Sequence, residues 1–339
     1  MSMPLNQALN NVFACPAVTY LLLGAPGVGK TTAAINEALK RGRHVIRVDA
    51  QNIPAEDLAR LPVLNKSKTA MTFAIPEMWT PRPNTVIVLD ELLKAPDDVV
   101  NAFLPLLHGK QLFGQQWPAD TIVVVTSNSA EFRVGDKLQP HVLNRMVRLE
   151  IADPTPAEAE ALMLDLGFDA RIIKWTQQVP TSLVSYCAAT AAKPDSENDF
   201  YFGYSPRSPR EPFCSLRSLH TASQLLQAGI TDSDTLSGAI GKKAAHSLAL
   251  YCREIRYFVH PAHILDGSAK VPDNLFDERL AACTAVAIMT PDNWGVCLNY
   301  IERLHPEVQS VACRAAARKS TLKDLCLDRR WGKWVLKNS

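Results

Sequence analysis

"LLLGAPGVGKTTAAI" (Leu21–Ile35) decides how the N-terminal half of this chain is read. Three leucines run into Gly24, Pro26, Gly27 and Gly29; Lys30, Thr31 and Thr32 follow, and Ala33, Ala34 and Ile35 open a helical pattern. In such an arrangement the glycines let the main chain wrap closely, so that successive N–H groups point inward at an anion. The helix that follows adds its positive N-terminal end. Gly24-Ala25-Pro26-Gly27-Val28-Gly29-Lys30-Thr31 satisfies G-x-x-x-x-G-K-[ST], and Thr32 extends the run. Lys30 is therefore expected to reach the β- and γ-phosphates of a nucleotide, and the Thr31 hydroxyl to meet Mg2+. A glycine-rich turn without a ligand is the plainer alternative; the position between a strand and a helix favours the phosphate site.

Outward from this stretch, short apolar runs alternate with helical ones. Strands are expected at Val18–Gly24, His44–Ala50, Thr85–Glu91, Thr121–Asn128 and Met146–Ile151, and helices over 30–42, closed by Gly42, and over Asp97–Gly109. Near-continuous Val/Ile/Leu strands between helices indicate a parallel sheet covered on both faces. After about Asp153 the strands vanish. Thr155 and Glu158 have capping-box spacing, and further helical segments follow, broken by Pro, Gly and Asp. The stretch 193–212, rich in Pro, Ser and charge, reads as a loop. The fold class is α/β, a P-loop parallel sheet sandwiched by helices over 1–152, followed by an all-helical region over 153–339.

Three more strand ends carry chemistry. "VIVLDEL" ends in adjacent carboxylates, Asp90 and Glu91, at the edge of a parallel sheet where ligands bind. Asp90 suits Mg2+ through its water shell, and Glu91 suits orienting and polarising an attacking water. "IVVVTSNSAE" ends in a polar cluster in which Asn128 is the best candidate to position water near the γ-phosphate, with Thr126 or Ser127 able to share the role. Phosphoryl transfer also needs positive charge at the γ-phosphate. "PHVLNRMVRLEI" offers Arg145, just before the fifth strand, and Arg148 within it; Arg145 is preferred.

Composition narrows the class. The chain has 339 residues, 47% hydrophobic and 21% charged, with a net charge of +2, the balance of a globular chain with no global argument for nucleic acid or an anionic membrane. The eight cysteines (15, 187, 214, 252, 283, 297, 313 and 326) form no CxxC pair and no zinc spacing, and read as buried thiols of a reducing compartment. "AVTYLLLGAPG" is too short to span a bilayer and lacks a basic flank, so no leader and no membrane insertion are expected, and a cytoplasmic location follows.

In this order, GAPGVGKTT (24–32), VIVLDEL (86–92), VVVTSN (123–128) and LNRM (143–146) resemble the AAA+ ATPases, and within them the MoxR-like group. A Gly-turned hairpin at about 110–117, directly before the fourth strand, and an insert over 58–79 support the narrower resemblance. The resemblance implies that Arg145 is an arginine finger acting on ATP in a neighbouring subunit, although Met146 replaces the aromatic found after it in many relatives. It implies a sensor arginine from the helical lid, where Arg217 begins an amphipathic helix and Arg207 and Arg210 are rivals. It implies ATP and Mg2+ as ligands, a homo-oligomeric ring, most often a hexamer, rotation between sheet domain and lid on hydrolysis, and a protein client beside a partner with a von Willebrand factor A domain. In the hairpin, Phe113 and Trp117 either touch a client or brace the hairpin against its own domain. Two alternatives stand behind this reading. A nucleic-acid motor or loader would draw on "RAAARKSTLKDLCLDRRWGKWVLKN", with basic residues beside Trp331 and Trp334, although an amphipathic packing helix with a solvated charged face is the plainer reading of that tail. A nucleotide-gated scaffold would bind ATP with little turnover.

Overall fold

Along β1 (Thr19–Gly24) side chains alternate between two faces: Tyr20 and Leu22 enter one apolar cluster, Leu21 and Leu23 another. The same alternation holds in β5 (Thr85–Asp90) and β8 (Ile122–Asn128), whereas β2 (His44–Asp49) buries Ile46 and Val48 on one face and only half-buries Val45 on the other. This sheet is therefore buried from both sides, as its β-branched composition requires. The structure, a computed structural model, describes residues 2–54, 58, 61–64, 67, 69, 71–128, 140–184, 202–204 and 210–338. Arg207, Cys187 and most of the loop 193–212 lie outside them. The chain divides into two compact units, Met1–Asp153 and Pro154–Ser339.

In the first unit the five strands lie in the order β2-β5-β8-β1-β9, with β9 spanning Met146–Glu150, and every pairing is parallel. Helices α1 (Leu5–Ala14) and α2 (Lys30–Lys40) supply Ala8, Val12, Ala34 and Ala38 to one face. Helix α3 (Asp97–Gly109) supplies Val99, Phe103 and Leu106 to the other. Observed ends differ from the expected ones by a residue or two, and after β9 Ile151 forms an isolated parallel bridge with Met3 while its N–H donates to the Leu23 carbonyl at 2.6 Å.

Two antiparallel pairs decorate the sheet. β3 (Leu61–Leu64) pairs with β4 (Met71–Ala74), within the expected insert. β6 (Gln111–Leu112) pairs with β7 (Gln115–Gln116), the hairpin expected before β8. Its aromatics point home: Trp117 is 1% exposed, and Phe113 meets the Trp79 ring edge-on at 5.9 Å. Trp117 thus braces the hairpin against its own domain, and half-buried Phe113 packs on Trp79 beside it.

The second unit is helical among its described residues. Helix α5 (Pro156–Asp165) begins with the expected capping box, Thr155 accepting from the Glu158 N–H while Glu158 accepts from the Thr155 N–H. Helix α6 (Ala170–Gln178) and the helices Leu216–Gln227, Lys242–Glu254, Leu275–Ile288, Trp294–Ile301 and Pro306–Arg318 enclose one core. Trp331 and Trp334 of the last helix, Arg329–Asn338, join that core and are 4% and 3% exposed. They are not available for stacking on bases, which removes the aromatic half of the single-strand argument. The buried Lys319 ammonium donates to the carbonyls of Val286, Ala287 and Met289 at 3.1, 2.7 and 2.7 Å. It caps the C-terminal end of Leu275–Ile288, where carbonyls lack intrahelical donors and the helix dipole is negative. Lys319→Met strands these acceptors and is expected to cost about 3 kcal/mol in denaturant unfolding of the second unit.

Candidate functional site

The loop between β1 and α2 turns on two glycines with positive φ, Gly27 at 79° and Gly29 at 88°, a region in which a side chain would be strained. At the start of the loop Gly24 has a different constraint. A Cβ there would lie 3.0 Å from the Ile151 carbonyl oxygen and 3.2 Å from its Cβ. Beyond Gly29, α2 begins at Lys30, so its first N–H groups face the loop's concave side.

Lys30 is 6% exposed, and its ammonium reaches back into the loop, donating to the carbonyls of Gly24 and Ala25 at 3.0 and 2.9 Å. It also lies 3.3 Å from Asn128 Oδ1, which ties the phosphate loop to the end of β8. That reach is possible because Gly24 and Asn128 are opposite each other in the β1–β8 register.

Asp90 ends β5 beside Thr126 of β8. Its Oδ1 accepts from the Thr31 hydroxyl at 2.7 Å and from the Thr126 hydroxyl at 2.6 Å. Its Oδ2 accepts from Arg47 Nη2 at 2.9 Å. Burial alone would push this carboxyl up, but the hydrogen bonds from Thr126, Thr31 and Arg47, with the Arg47 charge, outweigh it and hold Asp90 below its ordinary value. Glu91 is in the left-handed region, φ 54° and ψ 33°, and its N–H donates to the Thr126 carbonyl at 2.9 Å. A non-glycine residue held there marks a turn that the surroundings enforce, and such positions concentrate at working sites. The Glu91 Oε2 meets Lys94 Nζ at 3.0 Å and lies 3.5 Å from Ser127 Oγ.

The structure thus brings together 24–32, Asp90, Glu91 and Asn128 at one sheet edge. Thr126 serves Asp90 rather than standing beside Asn128, and Ser127 faces Glu91. Arg145 is elsewhere. It precedes β9, whose Met146 pairs with Thr19, the end of β1 remote from Gly24. Five residues at about 3.3 Å each leave roughly 16 Å of strand between that end and the loop. Arg145 therefore lies far from this chain's own phosphate loop. Arg148 is committed to Glu150 at 2.6 Å. Arg217 is exposed in the first turn of Leu216–Gln227, and Arg210 is exposed ahead of it. Sequence reasoning missed Arg47 and Lys94, the cations on the two acids. The sole signal for Arg47 was a charge inside an apolar strand pattern.

The donors suit Mg2+. The Thr31 hydroxyl and the Asp90 carboxylate are hard oxygens 2.7 Å apart, and Mg2+ is held by few protein oxygens and keeps several waters. Among the described residues no group of three His, Cys, Asp or Glu side chains offers a dedicated metal cage, and no helix is long and apolar enough to cross a membrane.

Residues 15–150 match the sequence model of a family described as AAA domain (Cdc48 subfamily). No curated protein matches the sequence. Among solved structures, the Saccharomyces cerevisiae Hsp104–casein complex is 21% identical, with 68% of this chain and 44% of that one covered and a TM-score of 0.40. A RuvB mutant of Thermotoga maritima is 14% identical over 87% of this chain and 79% of that one, with a TM-score of 0.38. NtrX of Brucella abortus is 14% identical over 68% and 52%, with a TM-score of 0.37. This chain spans about half the length of the NtrX chain. Likenesses at this level add no weight to the sheet topology and the family match.

Thr126 is open to a direct check. A carboxyl held below its ordinary value contributes stability that is complete above the unfolded value and is lost as pH falls through the folded one. Thr126→Val removes one of the donors responsible, so the Asp90 titration, followed by carboxyl carbon NMR, is expected to move up. Stability at neutral pH should fall by about 1 kcal/mol.

Proposed function

We propose, from the match of residues 15–150 to the AAA-domain family model and from the geometry of the site, that this region is an AAA+ P-loop domain and that the chain is a Mg2+-dependent ATPase of the MoxR-like kind. It works as a ring, hexameric by resemblance, and remodels or activates a protein partner, with a von Willebrand factor A domain protein as the candidate. The observation that supports it best is the bridge of Thr31 and Thr126 to one oxygen of Asp90, with Lys30 at Asn128 beside it. Loop, acid and polar strand end close around one point, as transfer of a γ-phosphoryl group to water requires.

The reaction consumes ATP and water and releases ADP and phosphate. The N–H groups of 24–32 and the first turn of α2 hold the phosphates, and Lys30 turns from loop carbonyls to phosphate oxygens. Bound through Thr31 and the water shell at Asp90, Mg2+ would neutralise phosphate charge. Glu91 accepts a hydrogen bond from the attacking water and orients it, which requires its carboxylate to leave Lys94. Asn128 fixes the same water or the γ-phosphate from the other side. Such positioning and charge placement supply most of the catalysis in phosphoryl transfer.

Arg145 fits a finger given to a neighbouring copy, because its end of the sheet is remote from its own loop. Arg217 as sensor rests on the resemblance and on its place in a helix's first turn. A cytoplasmic setting accords with this work.

Lys30→Ala is expected to lose ATP binding in a fluorescent-nucleotide titration; unchanged affinity refutes the phosphate loop. Glu91→Gln should bind ATP and release phosphate at least about a hundredfold more slowly. Equal turnover of the two proteins would instead support a scaffold. Arg145→Ala should bind ATP yet hydrolyse it poorly, and mixing it with Glu91→Gln subunits should restore part of the activity. Mixed rings with no recovery argue against a finger acting between subunits.

A further inference from the structure

Asp90 has two oxygens, and both already have donors. Oδ1 takes Thr31 and Thr126; Oδ2 takes Arg47 at 2.9 Å. An ionised carboxylate offers about four acceptor positions, so one remains on the oxygen that Arg47 occupies. The Thr31 hydroxyl can donate to Asp90 and still offer its oxygen to a metal. The guanidinium cannot be accommodated so neutrally, since it is a permanent positive charge on the carboxylate expected to draw in a dication.

Arg47 is not held at Asp90 by burial. It projects from β2, the edge strand, and its side chain is 56% exposed. An ion pair at such exposure contributes little to folding. A Gln or Met at this position of the strand would face solvent equally well.

We infer that Arg47 is a resident counter-ion of Asp90 that makes metal binding conditional on nucleotide. Without phosphates, the dication meets a carboxylate already neutralised and binds weakly. With phosphates, the added negative charge offsets the guanidinium, and the metal enters as part of the nucleotide complex. Arg47 is in this sense a positioning residue, acting through Asp90. The inference rests on the ATP-site reading above and specifies its metal requirement.

The test titrates Mn2+, followed by electron paramagnetic resonance, into nucleotide-free wild type, Arg47→Gln, Arg47→Met and Arg47→Lys. Fluorescent-ADP affinity is measured beside it in EDTA and in excess Mg2+. Removing one adjacent positive charge is expected to tighten nucleotide-free metal binding about fivefold in Arg47→Gln and Arg47→Met. Arg47→Lys, which keeps the charge, should stay near wild type, and nucleotide affinity in EDTA should be equal in all four. Equal or weaker metal binding by the two uncharged variants overturns the inference, as does an Arg47→Lys protein that behaves like them. If wild type binds no nucleotide in Mg2+, the ATP-site reading fails and takes this one with it. If it binds nucleotide while the metal affinities coincide, only the counter-ion role fails.

Discussion

Everything at the candidate site depends on β1, β5 and β8 running side by side in one direction. In their register Leu22, Thr126 and Asp90 occupy one row, and Gly24 and Asn128 the row two residues further on. Parallel pairing carries each strand to the same edge, so the loop after β1, the acids after β5 and the amide at the end of β8 converge without any long side chain having to search for them. A slip of one residue in β8 would turn Thr126 away from Asp90 and place Ser127 there. Burial on both faces prevents that slip, because it would also exchange Val123 and Val125 with Val124 between two separate apolar clusters.

The electrostatics follow from this crowding. Two adjacent carboxylates at one strand end would repel each other, and each has a cation of its own: Arg47 on Asp90 and Lys94 on Glu91. The left-handed turn at Glu91 sends the second acid away from the first, and the Thr126 carbonyl holds that turn. Separation and counter-charge let the two acids share one strand end, and the hydrogen bonds of Asp90, with the Arg47 charge, hold that carboxyl below its ordinary value.

The sheet, its order of alternation with helices and the phosphate loop were legible from pattern alone, because buried parallel strands and a glycine-rich turn have few other physical uses. Asp90, Glu91 and Asn128 were legible for a related reason: polar residues immediately after apolar runs must lie at strand ends. Arg47 and Lys94 were not, since a charge on an edge strand or a short turn normally faces water, and only side-chain geometry shows it bent onto a carboxylate. Trp331 and Trp334 follow the plainer reading of their tail, an amphipathic helix whose apolar face packs, whereas Lys319 gave no such signal. All three are buried, the tryptophans by apolar neighbours and the lysine by carbonyl oxygens that its sequence surroundings do not announce. Phe113 and Trp117 could not be oriented from sequence, because a two-residue strand gives no usable period.

Gly24 has a consequence for how this chain can change over time. Its place in the phosphate loop would ordinarily tie its fate to nucleotide binding, so that a descendant without that activity could replace it freely. Here a Cβ would lie 3.0 Å from the Ile151 carbonyl oxygen, so a larger residue asks the neighbouring main chain to give way, whether or not a phosphate is ever bound. Two independent pressures therefore meet on one position. A lineage that abandoned the nucleotide would still meet the Ile151 main chain at this position, and a surviving glycine there is no record of surviving activity.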